Sequence, residues 1–179
     1  MDIRFAHIIL SFCLMIFVSN PVWSQENRDY HLAPDDELSV DVFDEPDLSL
    51  DNVRVSSTGT ISMPLLGQIK VDGLTVTELE KKIHDLYLGD YLKKPNISVS
   101  ITTYRQFYVD GEVNKPGGYS YREGLTVQRA IALAGGFTER AARNKISIVK
   151  ESTGQTINAV EMSYRVSPGD VITVSESFF

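Results

Sequence analysis

Two acidic clusters and a set of tyrosines are the residues of this 179-residue chain whose types and spacing come nearest to chemistry. Asp35-Asp36-Glu37 and Asp44-Glu45-Asp47 have the carboxylate density of a glycosidase pair or a calcium loop. The first would exchange protons across a glycosidic bond, and the second would surround a hard cation with oxygen. Both clusters lie in turn-like sequence beside Pro34 and Pro46, so the expected state is a solvated acidic loop. Tyr87, Tyr91, Tyr104, Tyr108, Tyr119 and Tyr121 each join an apolar ring to a polar tip, which suits sugar stacking and subunit contacts. Ordinary half-buried strand packing is the expected role of each, and no sugar site is assigned among them.

The remaining reactive groups point away from catalysis. His7, His31 and His84 are far apart and show no metal-ligand spacing. There is no Gly-x-Ser-x-Gly elbow, no phosphate-cradling glycine loop and no zinc pattern. The single cysteine, Cys13, lies in the first apolar stretch, so no disulfide can close within the chain. The expectation is a protein with no catalytic residue, no metal and no cofactor. A net charge of −7 and a pI near 4.9 repel phosphate backbones, so nucleic acid is not an expected partner. Anionic lipid surfaces are disfavoured for the same reason.

Ile8 to Val18 form an apolar run interrupted only by Ser11, preceded by Arg4 and followed by Asn20-Pro21 and Val22-Trp23-Ser24. That order of a basic start, an apolar centre and a small residue is the layout of a secretory signal peptide, expected over residues 1–24 with cleavage after Ser24. Leu10-Ser11-Phe12-Cys13 is a poor lipid-attachment box, because Phe12 stands where a small residue belongs.

The rest of the chain reads as two α+β units. In the first, Leu38, Val40 and Val42 alternate with polar residues as a half-buried strand, and short strands follow at Val53 to Val55, Thr60 to Met63 and Leu66 to Val71. Asp72-Gly73 closes them. Thr75 with Glu78 three residues on is a capping box, and Leu79, Ile83, Leu86 and Tyr87 share one helical face, with Glu80, Lys81, Lys82 and Asp85 facing water. Gly89 stops the helix, and a strand follows Pro95, with Ile97, Val99 and Ile101 on one side. In the second unit, strands are expected at Phe107 to Val113, Tyr119 to Tyr121, Ile146 to Val149, Thr156 to Val160 and Val171 to Val174. A short helix from about Thr126 carries Val127, Ala130, Ile131 and Ala134 and ends at Gly135-Gly136. Gly73-Leu74-Thr75-Val76 and Gly124-Leu125-Thr126-Val127 repeat one tetrapeptide, read as good strand-to-helix chemistry that arose twice.

Glycines and prolines carry the turns. Gly59, Pro64, Gly67, Gly111, Pro116, Gly117, Gly135, Gly136, Pro168, Gly169 and Asp170 are read as structural motif residues. A β-branched residue at Gly136 should strain the helix exit.

The segments Tyr30 to Leu38, Val42 to Leu48 and Gly59 to Gly67, with the helix Leu74 to Leu88 and the strand Pro95 to Tyr104, resemble the polysaccharide export domain of the Wza-type polysaccharide biosynthesis/export proteins. Val109 to Val113, Lys115-Pro116-Gly117, Leu125 to Phe137 and Pro168 to Ile172 are similar to a soluble-ligand-binding β-grasp (SLBB) domain. The chain has Ala33-Pro34-Asp35-Asp36 where the family has Gly-Pro-Gly-Asp, and Thr58-Gly59 where it has Asp-Gly, which are conservative turn changes. The resemblance implies a signal peptide at 1–24, an export domain at 25–103, an SLBB β-grasp domain at 104–175 and a short tail at 176–179. It implies an α+β fold and a non-enzymatic, periplasmic part of an outer-membrane export system for capsule or exopolysaccharide. Copies would form a homo-oligomeric ring as a conduit for the polysaccharide. An outer-membrane pore protein and an inner-membrane polysaccharide co-polymerase are the implied partners. With no convincing lipid-attachment cysteine and a last residue at Phe179, directly after the last expected strand, the chain is expected to work beside a separate pore or through an unrecognised anchor. The rival reading is a periplasmic saccharide-binding or adaptor module that contacts the polymerisation and export machinery.

Overall fold

The computed structural model describes residues 30–177. The expected signal peptide lies outside the described residues. Among the described residues, no helix is long and apolar enough to cross a membrane.

The alternation read at the start of the first unit becomes β1 (Glu37–Val42), whose Leu38, Val40 and Val42 are buried. It is the centre of a three-stranded sheet, paired antiparallel with β2 (Leu50–Arg54) on one side and β5 (Ile97–Thr103) on the other. A hairpin of β3 (Thr60–Met63) and β4 (Gly67–Lys70) adds Ile61, Met63 and Ile69 to the same core. Helix α1 (Val76–Tyr87) packs against β5 and seats Leu79, Ile83 and Tyr87 in that core. Its capping box forms as expected. The Glu78 N–H donates to the Thr75 hydroxyl, and the Glu78 carboxylate accepts the Thr75 N–H at 2.9 Å.

Two residues of α1 depart from the expected faces. Leu86 is 43% exposed, on the flank of the stripe made by Leu79, Ile83 and Tyr87. Glu80 does not simply face water: its carboxylate accepts the Val99 N–H at 2.9 Å. The reason is topological. β5 is an edge strand, and the N–H groups on its free edge need a partner that β1 cannot supply.

The second unit is a five-stranded sheet in the order β7-β6-β10-β8-β9, built from β6 (Phe107–Gly111), β7 (Gly117–Tyr119), β8 (Ala141–Val149), β9 (Thr156–Ile157) and β10 (Val171–Glu176). The last strand lies in the middle, parallel to β6 and antiparallel to β8. Helix α2 (Val127–Leu133) covers one face, where Val127, Ala130 and Ile131 meet Phe107, Val109, Ile146, Ile148, Ile172 and Val174. The fold is α+β, as expected. Element bounds moved where pairing overrode pattern. The second hairpin strand is Gly117–Tyr119 rather than Tyr119 to Tyr121, because Gly117 and Gly118 are the residues opposite Val109 and Tyr108. Strand β8 begins five residues before the expected Ile146, since its N-terminal half continues beside β10 as far as Ala141 opposite Glu176.

Candidate functional site

The most elaborate group of polar side chains lies where the two units meet. Asp36 ends the turn Ala33-Pro34-Asp35-Asp36 just before β1 and is fully buried. This corrects the reading of Asp35-Asp36-Glu37 as a solvated loop: Asp35 is exposed, but Asp36 turns inward. Burial of a carboxylate is costly unless its lone pairs are used, and those of Asp36 are. The Ala33 N–H donates to Oδ2 at 2.9 Å, and the Arg105 N–H donates to Oδ1 at 2.9 Å. The Tyr30 hydroxyl lies 2.7 Å from Oδ2 and donates to the carboxylate, while the Arg105 guanidinium stands 3.3 Å away.

Arg105 is the hub. Nη1 donates to the Tyr30 hydroxyl at 2.5 Å and Nε to Glu151 at 2.5 Å, and the guanidinium sits 5.6 Å from the centre of the Tyr30 ring. One cation therefore ties the segment before β1 to the loop after β8. Burial opposes the charge, but Tyr30, Glu151 and Asp36 outweigh it, so the Arg105 pKa is raised. Burial, and then the hydrogen bond to Asp36, push the Tyr30 pKa above its ordinary value.

An aromatic chain runs alongside. Tyr30 meets Tyr104 edge-to-face at 5.0 Å, and Tyr104 meets Tyr121 edge-to-face at 5.3 Å. The Tyr104 hydroxyl donates to Glu123 at 2.6 Å; burial first, then this bond, raises its pKa. Tyr30 was absent from the set singled out in the sequence, although it is the ring on which both networks converge. Its signal was its place six residues before a buried aspartate, which no local pattern marks. The other tyrosines scatter. Tyr87 and Tyr91 meet edge-to-face at 6.1 Å beside the hairpin tip, with the Tyr87 hydroxyl donating to the Pro64 carbonyl at 2.8 Å. Tyr119 lies tilted on Phe107 at 5.9 Å, and Tyr108 is exposed.

Asp170 lies in a second turn of the same build, Ser167-Pro168-Gly169-Asp170, before β10, and is 1% exposed. Its carboxylate accepts the Ser167 N–H at 2.8 Å and Lys150 Nζ at 2.5 Å. Gly169 has φ +80°, and a Cβ there would stand 1.8 Å from the Glu151 carboxylate that reaches Arg105. Gly111 is not a turn glycine: at φ +81° a Cβ would stand 2.1 Å from the Val174 carbonyl oxygen, so β6 and β10 approach closely only without a side chain there. Gly59, 72° in φ, offers its carbonyl to the N–H groups of Val71 and Asp72. Gly135 and Gly136 end α2 at φ +79° and +83°, where the Asn114 amide donates to the Gly135 carbonyl at 2.8 Å. Gly67, Pro116 and Gly117 are in loops and strand ends at the surface.

These residues therefore do not converge on one pocket. They are dispersed over the turns, and only Gly169 and Asp170 adjoin the junction. Among the described residues, no group of three or more His, Cys, Asp or Glu side chains is placed to hold a metal ion. The junction holds a carboxylate whose oxygens are all engaged by donors, an arrangement that fixes the geometry of the turn.

The comparisons agree with that division. The model of the polysaccharide biosynthesis/export protein family matches residues 24–102, and that of the SLBB domain matches residues 106–161. The chain is 34% identical over 108 residues to the exopolysaccharide production protein ExoF of Rhizobium meliloti (strain 1021), which covers 56% of this chain and 26% of that protein. It is 30% identical over 140 residues to the EPS I polysaccharide export outer membrane protein EpsA of Ralstonia nicotianae, covering 64% of this chain and 36% of that protein. The EpsA protein of Ralstonia solanacearum is 29% identical over 140 residues. The matches thus span 26% to 37% of these relatives' lengths. The first family is described as polysaccharide biosynthesis/export proteins and EpsA is named an export protein, and neither name is that of an enzyme. The two matches fall in this order on either side of the Asp36–Arg105 junction, so the first unit is similar to the polysaccharide biosynthesis/export proteins and the second to SLBB domains.

Proposed function

We propose that this protein is a non-enzymatic component of an outer-membrane export system for a bacterial capsule or exopolysaccharide. It is led across the inner membrane by residues 1–24 and works in the periplasm at the outer membrane. Its working parts are an export domain at 25–103 and an SLBB domain at 104–175, with a tail at 176–179. Copies assemble into a ring that gives the polymer a conduit. An outer-membrane pore protein and an inner-membrane polysaccharide co-polymerase are its partners. The observation that carries this reading is the ordered pair of family matches over residues 24–102 and 106–161. The junction supports it physically, because a ring of two-domain subunits closes only if every copy holds the same angle between its domains. The turn glycines and prolines shape the fold and touch no ligand in this reading.

The test is deletion of the gene followed by measurement of secreted polysaccharide. Loss of secretion, restored by the full chain, is the expected result, and undiminished secretion would overturn the reading. Light scattering on the protein extracted from cells tests the ring: a stable monomer at micromolar concentration would replace the conduit by an adaptor.

A further inference from the structure

Helix α2 covers only one face of the five-stranded sheet, and the other face has an ordered chemistry of its own. The strand registers align Gly118 on β7, Tyr108 on β6, Val171 on β10, Val149 on β8 and Thr156 on β9 in one row across all five strands. The inward neighbours Phe107, Val109, Ile148 and Ile172 are buried under α2, so this row points outward by strand alternation. Tyr108 is 48% exposed and Val149 36% exposed. A parallel row two residues along is polar: Asp110, Thr173 and Ser147.

Tyr108 packs against the edge strand. A Cβ on Gly118 would stand 3.0 Å from the ring and 2.6 Å from the Gln106 amide oxygen, so the ring lies over the bare backbone of the edge strand with the Gln106 amide beside it. Covering a cross-strand glycine is a structural task that a tyrosine ring performs well. About half of the Tyr108 surface stays exposed on a side chain already ordered by that contact, which removes part of the cost of binding.

We infer that this uncovered sheet face is a track for a polysaccharide strand, with Tyr108 as its stacking platform and Gln106, Asp110, Thr173 and Ser147 as flanking hydrogen-bond partners. The chemistry fits a polyhydroxylated chain. One amphipathic ring, small aliphatic groups and a border of hydroxyls, an amide and one carboxylate match sugar rings, whose faces are apolar and whose rims are polar. The geometry fits a polymer in particular. The row is about 19 Å wide from four strand spacings. This inference names the ligand-contacting face within the export reading and rests on that reading for the source of the polymer.

The probe is the exopolysaccharide secreted by the strain that carries the gene, fragmented by mild acid. Native electrophoresis of the full chain through a gel containing the fragments should show retardation. Carbene footprinting should show protection of the segments holding Tyr108 and Val149. Tyr108→Ala should weaken retardation about tenfold, Tyr108→Phe should leave most of it, and Val149→Glu at the other end of the row should weaken it with unchanged circular dichroism. Retardation that survives Tyr108→Ala and Val149→Glu, protection elsewhere, or none at all would overturn the inference. So would protection that grows with protein concentration in the absence of sugar, since the face would then join copies of the chain. Failure here with export still lost on gene deletion removes only the track. Retained secretion on deletion, with retardation intact, removes the export role and keeps the track.

Discussion

The turn Ala33 to Asp36 and the turn Ser167 to Asp170 are built alike. Each has a proline, then a residue with positive φ (71° for Asp35 and 80° for Gly169), then a buried aspartate that accepts the N–H of the residue three before it and opens a strand. Their reach differs. Asp170 pairs with Lys150 inside its own unit, whereas Asp36 engages Arg105 and, through it, Glu151 of the other unit. The lesson is that one local device can serve a fold or join two. Which it does depends on where the cation sits, not on the turn. The strand-to-helix joints repeat the point. Thr75 forms a complete capping box with Glu78, while Thr126 has Arg129 at the matching position and only a 3.5 Å bond from its N–H.

Substitution of the two aspartates gives the largest effects and the clearest separation. Asp36→Ala and Asp170→Ala should each cost about 3–5 kcal/mol in urea unfolding, because each removes the fully buried carboxylate of an ion pair. Small-angle scattering should change only for Asp36→Ala, as the angle between units loosens; equal scattering from both would break the comparison. Next comes Tyr30→Phe, at about 1.5–3 kcal/mol for a hydrogen bond to a charged group. Tyr30 also gives its turn a pH signature. Its folded pKa lies above the ordinary 10.0, so its contribution is complete below that value. As pH rises further, the unfolded chain loses the proton while the folded chain still holds it, and stability falls. The urea midpoint of Tyr30→Phe should fall less steeply with pH above about 10 than that of the unaltered protein.

Exchanges at the positive-φ positions are smaller. Gly169→Ala should cost about 1–2 kcal/mol from backbone strain and displace Glu151 from Arg105. Asp35→Gly should be close to neutral, because Asp35 is exposed and aspartate tolerates that conformation. Similar thermal shifts for the two would show that Glu151 is not the reason for glycine at 169. The helix starts come last: Thr75→Ala should cost about 1 kcal/mol, and Thr126→Ala about 0.5 kcal/mol, with its weaker bond. Differential scanning calorimetry resolves the two, and the reverse order would contradict the cap geometry.

Much of the fold was legible in the residues. Leu38, Val40 and Val42 declared a half-buried strand, Thr75 with Glu78 declared a helix start, and Gly135-Gly136 a helix end, because these signals act over a few residues and survive in any context. The candidate site was mostly hidden. Asp36 reads as one more carboxylate in an acidic turn, Tyr30 carries no local mark of its partners, and Arg105 stands in no motif. Glu80 looked solvent-facing until β5 proved to be an edge strand that needed an acceptor.

The sequence by itself determined the two α+β units, their order and their turns, since periodicity, capping and turn chemistry are local properties of the chain. Only the tertiary structure decided that Arg105 would be shared by Asp36, Tyr30 and Glu151, and that Gly118, Tyr108, Val171, Val149 and Thr156 would align into one outward row. Those partners lie 46 to 75 residues from Arg105. Pairing across such distances is set by strand register and by the need to satisfy buried charge, neither of which exists until the chain has folded.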